Sequence, residues 1–158
     1  MQVLLDQTHL ERAMVQALRQ AEIALDLGEV PIGAVVIKDQ RIIGRGYNQR
    51  EALRDPTAHA EIIAITAAAN SLQDWRLNGC ELYVTKEPCP MCAGAIMNAR
   101  IDFLGFGAYD EEAGCAGSLY QLVREPRFNH ESSLRGGILE AECSALLQEF
   151  FRRRREKG

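Results

Sequence analysis

With 158 residues, 47% of them hydrophobic and 25% charged, the chain has the length and apolar content for one domain around a real core, which excludes a disordered or fibrous protein. No apolar run is long enough to cross a bilayer, and residues 1–6 lack the basic start and apolar stretch of a secretory signal, so a cytoplasmic protein that spans no membrane is expected. A net charge of −4 excludes a basic surface overall, but the charge is uneven, +4 over residues 150–158 and −8 over the rest.

In chain order, Thr8-His9-Leu10-Glu11 has capping-box form, with Thr8 as N-cap and Glu11 three positions on. Apolar Leu10, Met14, Leu18, Ile23 and Leu25 follow until Gly28, which predicts an amphipathic helix. Residues 31–37 are a β-rich run. Lys38-Asp39-Gln40-Arg41 turns it back into residues 42–47, a predicted hairpin. A polar loop over residues 48–57 precedes a second helix over residues 58–70. Residues 80–85 read as a third strand, residues 91–99 as a helix opened by Pro90, and residues 101–106 as a fourth strand. Residues 107–137 give no clear pattern. Strong helix formers and an apolar face of Leu139, Cys143, Leu146, Leu147 and Phe150 predict a C-terminal aromatic-basic helix over about 139–156. There is no linker, repeat or low-complexity segment, so residues 1–158 form a single domain. Strand–helix alternation predicts an α/β sandwich with helices covering a mixed sheet.

The five cysteines are an odd set without an export signal, which argues against a disulfide framework. Cys80, Cys115 and Cys143 are expected to be packing residues. Cys89 and Cys92 are different: three apart at a predicted helix start, they share one face. The positive end of the helix favours the thiolate form that binds metal. His59-Ala60-Glu61 stands at an earlier helix start. Two thiolates and the His59 imidazole make three protein ligands for one Zn2+, with the fourth position left to water, the pattern of a catalytic site. His9 and His130 belong to no ligand-spaced pair. Glu61, two positions after His59, is placed to move protons without binding the metal. Each piece alone has a plainer reading: a surface histidine, a redox pair or half a structural zinc knuckle, a chance His-x-Glu. The combination, His-x-Glu with a later Pro-Cys-x-x-Cys, is the signature of zinc-dependent deaminases.

The match extends beyond these motifs. Asp55-Pro56-Thr57-Ala58-His59-Ala60-Glu61-Ile62 and residues 82–96, Leu82-Tyr83-Val84-Thr85 through Pro88-Cys89-Pro90-Met91-Cys92 to Ile96, resemble the bacterial tRNA adenosine deaminase family. So do Val30-Pro31-Ile32-Gly33, Gly46-Tyr47-Asn48, Ala116-Gly117-Ser118-Leu119, Phe128-Asn129-His130 and the terminal Phe150-Phe151 with its basic cluster. The resemblance implies a three-layer α/β/α sandwich with a central mixed five-stranded sheet. It implies one zinc per subunit, a homodimer, and conversion of adenosine to inosine at the wobble position of an arginine tRNA anticodon stem-loop. The target base must leave its stack to reach the metal. The resemblance also assigns Asn48 to holding the flipped nucleoside, Asp110 to the ribose side and Asn129 to the RNA. Phe150, Phe151, Arg152 and Arg153 would meet bases and phosphates. The plainer alternatives are turn or cap chemistry for the two asparagines, an exposed turn carboxylate for Asp110, and a solvated helix end for the tail. Lys86, Tyr109 and Glu111-Glu112 depart from the family pattern. Small residues Ala93, Gly94 and Ala95 would permit close helix packing in a dimer. The competing functions are a free-base or nucleoside deaminase, for guanine or cytosine, and a non-catalytic zinc module.

Overall fold

The computed structural model describes residues 5–158. The expectation that residues 1–6 are no secretory signal falls mostly on residues 1–4, which lie outside the described residues. The helices are α1 (Gln7–Asp26), α2 (Arg50–Leu53), α3 (Ala60–Leu72), α4 (Pro90–Asn98) and α5 (Glu140–Lys157). The strands are β1 (Gly33–Lys38), β2 (Arg41–Tyr47), β3 (Cys80–Lys86), β4 (Phe103–Ala108) and β5 (Ser133–Arg135). They form one mixed five-stranded sheet in the order β2-β1-β3-β4-β5. β1 runs antiparallel to β2 and β3, while β3, β4 and β5 are parallel. Parallel neighbours require a crossover, and α4 supplies it between β3 and β4.

Both faces of the sheet are covered, so its central strands are mostly apolar. Ala34, Val36, Leu82, Val84, Leu104 and Phe106 pack on one side with Ala60, Ala64 and Ala68 of α3 and Ala93 and Ile96 of α4. Val35, Ile37 and Tyr83 pack on the other with Leu10, Ala13, Met14 and Ala17 of α1 and Cys143 of α5. This is the expected three-layer α/β/α sandwich. Burial of a large apolar side chain contributes about 1.5–3 kcal/mol, and Phe106, Leu82, Leu104, Ile96 and Met14 are all sealed from solvent. Cys80, Cys115 and Cys143 are buried free thiols, in keeping with a packing role. Among the described residues no helix is long and apolar enough to cross a membrane.

Local details refine the sequence reading. The hairpin forms as expected, with Asp39 and Gln40 both at positive φ, the conformation a two-residue turn between twisted strands needs. The first helix is capped by Asp6, not Thr8. Its carboxylate accepts from the His9 backbone N–H at 2.8 Å. An aspartate one residue before the helix both caps and meets the positive dipole end, so it outcompetes the capping box. Glu11 instead accepts from Gln7 Nε2. The polar loop contains the short helix α2, and the unpatterned segment contributes the three-residue edge strand β5.

Candidate active site

Two helices aim their N-termini at one point. His59 is the N-cap of α3 and Cys89 the N-cap of α4, and neither side chain caps its own helix. Both are free to act elsewhere. Cys92 follows in the first turn of α4, on the same face as Cys89. The entry of α3 is set by the sheet beneath it. Gly44 and Gly46 of β2 lie so close to α3 that a Cβ on either would overlap a carbonyl of the helix, Ala64 O or Ala60 O. Only glycine allows that approach, and it fixes the height of His59 above the strand ends.

His59 Nδ1 lies 3.6 Å from Cys89 Sγ and 3.5 Å from Cys92 Sγ. The three ligand atoms fall within 4.8 Å of one another. Bonds of about 2.3 Å to sulfur and 2.0–2.1 Å to nitrogen at tetrahedral angles put the S···N edge at about 3.5 Å. The observed spacing therefore fits a tetrahedral zinc-sized ion. The protonation pattern is that of a cation site. A hydrogen bond from the Cys92 thiol, aided by His59, holds Cys89 down at about 4, a thiolate at neutral pH. The proton it borrows stays on Cys92, whose pKa is raised by that same bond and by burial. The bond to Cys89 raises His59. An ion seated here displaces those shared protons.

Glu61, in the first turn of α3, is 4% exposed. Burial raises its carboxyl pKa, and the nearby Cys89 charge adds to the effect. Glu61 adjoins the ligand set without belonging to it. A carboxyl poised in this way suits general acid/base work.

His59, Cys89 and Glu61 line a cavity of about 270 Å³, with Cys92 fully buried beside them, room for one small ring system and not for an oligonucleotide. Asn48, Arg50, Lys86, Asp110 and Phe151 reach its walls and mouth. Asn48 is 4% exposed. Its Nδ2 donates to Val30 O and its Oδ1 accepts from Arg50 N, both at 3.2 Å. Asp110 Oδ1 accepts from the backbone N–H groups of Glu112 and Ala113 at 3.0 and 3.1 Å. Its Oδ2 meets Lys86 Nζ at 3.3 Å. Burial would push the Asp110 carboxyl up, but these bonds and the Lys86 charge outweigh it and hold the group below its ordinary range.

A wider groove of about 830 Å³ adjoins the cavity, sharing Val30, Asn48 and Arg50 and bordered by Phe150, Arg153, Arg154 and Lys157 of α5. Phe151 stands 47% exposed against Phe150, which is only 5% exposed and packs as part of the fold. Arg152 pairs with Glu149 and Glu156, and Arg153 with Glu149. The tail's positive charge is thus partly met within the helix. Asn129 is exposed and lines neither opening. Of the residues singled out in the sequence, Asn129 and Arg152 stand apart from the cavity and its groove.

Two carboxylates that no motif singled out hold the walls in place. Glu87, 3% exposed, accepts from the N–H groups of Asp110, Ala116 and Ser118 at 2.9–3.1 Å and from the Ser118 hydroxyl at 2.5 Å. The segment carrying Asp110 is slung from this one side chain. Glu29, 2% exposed, accepts from the N–H groups of Glu51 and Ala52 at 3.0 and 2.8 Å and so anchors α2 beside Arg50. A buried carboxylate with several N–H donors orders every donor it binds. The signal available in sequence was only a Glu before Pro-Cys and a Glu after Gly28.

The sequence profile of the MafB19-like deaminase family matches residues 8–155. The chain is 47% identical over 147 residues to the tRNA-specific adenosine deaminase of Bacillus subtilis (strain 168), covering 93% of this chain and 91% of that one. It superposes with a TM-score of 0.83 on a solved structure from studies of A-to-I editing by tRNA:A34 deaminases at the wobble position of transfer RNA, at 43% identity, covering 86% and 99% of the two chains. A guanine deaminase from Bacillus subtilis gives a TM-score of 0.60 at 40% identity, over 63% of this chain and 64% of that one.

Proposed function

Since the chain belongs to the deaminase family, and within it groups with the tRNA-specific adenosine deaminases, we propose that it converts adenosine to inosine at the wobble position of a tRNA anticodon loop. The observation that carries this reading is the convergence of His59, Cys89 and Cys92 beside the buried Glu61, with His59, Cys89 and Glu61 open to the small cavity. Those three residues would hold one zinc ion, which, when bound, supplies a Lewis acid that makes water acidic near neutral pH. Glu61 takes a proton from the attacking water and delivers it to N1 of the purine. Glu61 then takes the remaining proton from the new C6 hydroxyl and passes it to the departing amine, so that adenosine and water become inosine and ammonia.

The size of the cavity admits one flipped nucleoside, and the adjoining groove has the length and charge for the flanking strand. Asn48 and Asp110 frame the nucleoside, while Phe151, Arg153 and the neighbouring basic residues of α5 meet the RNA. Phe150 supports Phe151 from beneath. The family resemblance points to an arginine tRNA as the substrate and to a homodimer as the working form. The α4 face bearing Gly94 is compatible with the latter, since a Cβ there would meet nothing within 4 Å in the chain itself. Five free cysteines suit the reducing cytoplasm.

A substrate panel tests the reading. Anticodon stem-loop RNA, free adenosine and free guanine are offered to the zinc-loaded protein with and without residues 151–158. Product from the stem-loop alone, lost on deletion of the tail, is the expected result. Guanine turnover that survives the deletion would overturn it in favour of a free-base deaminase.

A further inference from the structure

Lys86 stands at a place where its charge matters. It lies at the end of β3, immediately before the buried Glu87, and lines the same cavity as Glu61 and Asn48. In contact with it is Asp110, the first residue of the acidic run Asp110-Glu111-Glu112. Glu111 and Glu112 are exposed and Asp110 faces the cavity. A polyanionic substrate whose target residue enters this cavity meets a wall that carries the Asp110 carboxylate.

The carboxylate of Asp110 is divided between two tasks. Oδ1 is spent on the Glu112 and Ala113 N–H groups. Oδ2 has one charged partner, Lys86 Nζ at 3.3 Å. The two side chains are 29% and 14% exposed, so the pair sits where water screens it only in part. Glu87 cannot take over the role of Asp110 or be neutralised by Lys86, since both of its oxygens are taken by N–H and hydroxyl donors. Without Lys86, one uncompensated negative charge would face the entering strand at close range.

We propose that Lys86 is a specificity-determining residue of this chain: by cancelling the charge of Asp110 at the cavity mouth, it lets a nucleic-acid backbone approach a wall that is otherwise acidic. This rests on the tRNA reading above and deepens it. Lys86 acts through Asp110 and is a positioning residue.

The test is a double-mutant cycle on RNA affinity, read by fluorescence anisotropy of a labelled anticodon stem-loop with the zinc-loaded protein. Lys86→Met keeps the stem and removes the charge. It is expected to weaken binding by about tenfold at low salt, with the defect shrinking as salt rises. In an Asp110→Asn background, which keeps the turn's acceptor oxygen, Lys86→Met should cost less than about twofold, since there is no charge left to cancel. Equal affinity of wild type and Lys86→Met at low salt overturns the proposal. So does a Lys86→Met defect that is undiminished in the Asp110→Asn background, which would make Lys86 a direct phosphate ligand. Inosine formation is followed in parallel. Wild-type turnover with an unaffected Lys86→Met overturns this proposal alone, and weakened RNA binding without any inosine overturns the tRNA deaminase reading alone.

Discussion

Replacing Glu61 by Gln removes one proton-carrying group and leaves its shape. The structure sets the size of the effect. The other two carboxylates lining the cavity are already committed, Glu87 to four donors and Asp110 to Lys86 and two N–H groups. No carboxylate can substitute for Glu61, so the loss should reach the upper end of general acid/base effects, about 10⁴-fold in kcat, or about 5.5 kcal/mol of transition-state stabilisation. Single-turnover inosine formation on an anticodon stem-loop measures it, with zinc content determined on the same sample. A Glu61→Gln protein that holds one zinc and works within tenfold of wild type would refute the assignment. The pH dependence follows from burial, which raises the Glu61 carboxyl above its ordinary value. The ionised form must accept the first proton, so wild-type activity falls as pH drops through that raised pKa. Stability runs the other way. A raised folded-state pKa means the fold is favoured while the group is protonated, and that contribution is lost as pH rises through the folded pKa. Metal-free Glu61→Gln should therefore melt higher than metal-free wild type at pH 7, with the gap closing towards pH 4.

Chelation should abolish activity and lower the melting temperature, and zinc should restore both. Cys92→Ala should recover neither, and metal affinity should weaken in acid because the thiols must shed protons to bind. Glu87→Gln presents an NH₂ group to N–H donors at Ala116 or Ser118. It should destabilise the fold by about 1–3 kcal/mol in thermal melts and raise KM for RNA about tenfold while zinc stays bound; unchanged KM would remove Glu87 from the positioning role.

The parts legible in the sequence are those with short-range signals. The apolar spacing along α1, the β-rich runs on either side of Asp39-Gln40, and the His-x-Glu and Pro-Cys-x-x-Cys motifs each declare themselves within a dozen residues. The fold brings His59 Nδ1 to 3.6 and 3.5 Å from the Cys89 and Cys92 sulfurs. What stayed hidden depends on distant partners. Glu87 binds donors 23–31 positions away in a segment without periodicity, and Glu29 anchors α2 from 22–23 positions back. β5 is three residues long, too short to alternate visibly. Phe150 and Phe151 look equivalent in sequence, but α5 turns the first into the fold and the second towards the cavity. Asp6 won the cap from Thr8 because competing caps two residues apart are decided by three-dimensional reach.

The most direct measurement is the nucleoside composition of an arginine tRNA anticodon stem-loop, bearing adenosine at the wobble position, after incubation with the zinc-loaded protein, read by nuclease digestion and mass spectrometry. Inosine from wild type and none from Glu61→Gln is the predicted result. A folded, zinc-loaded wild type that leaves the adenosine untouched would contradict the account.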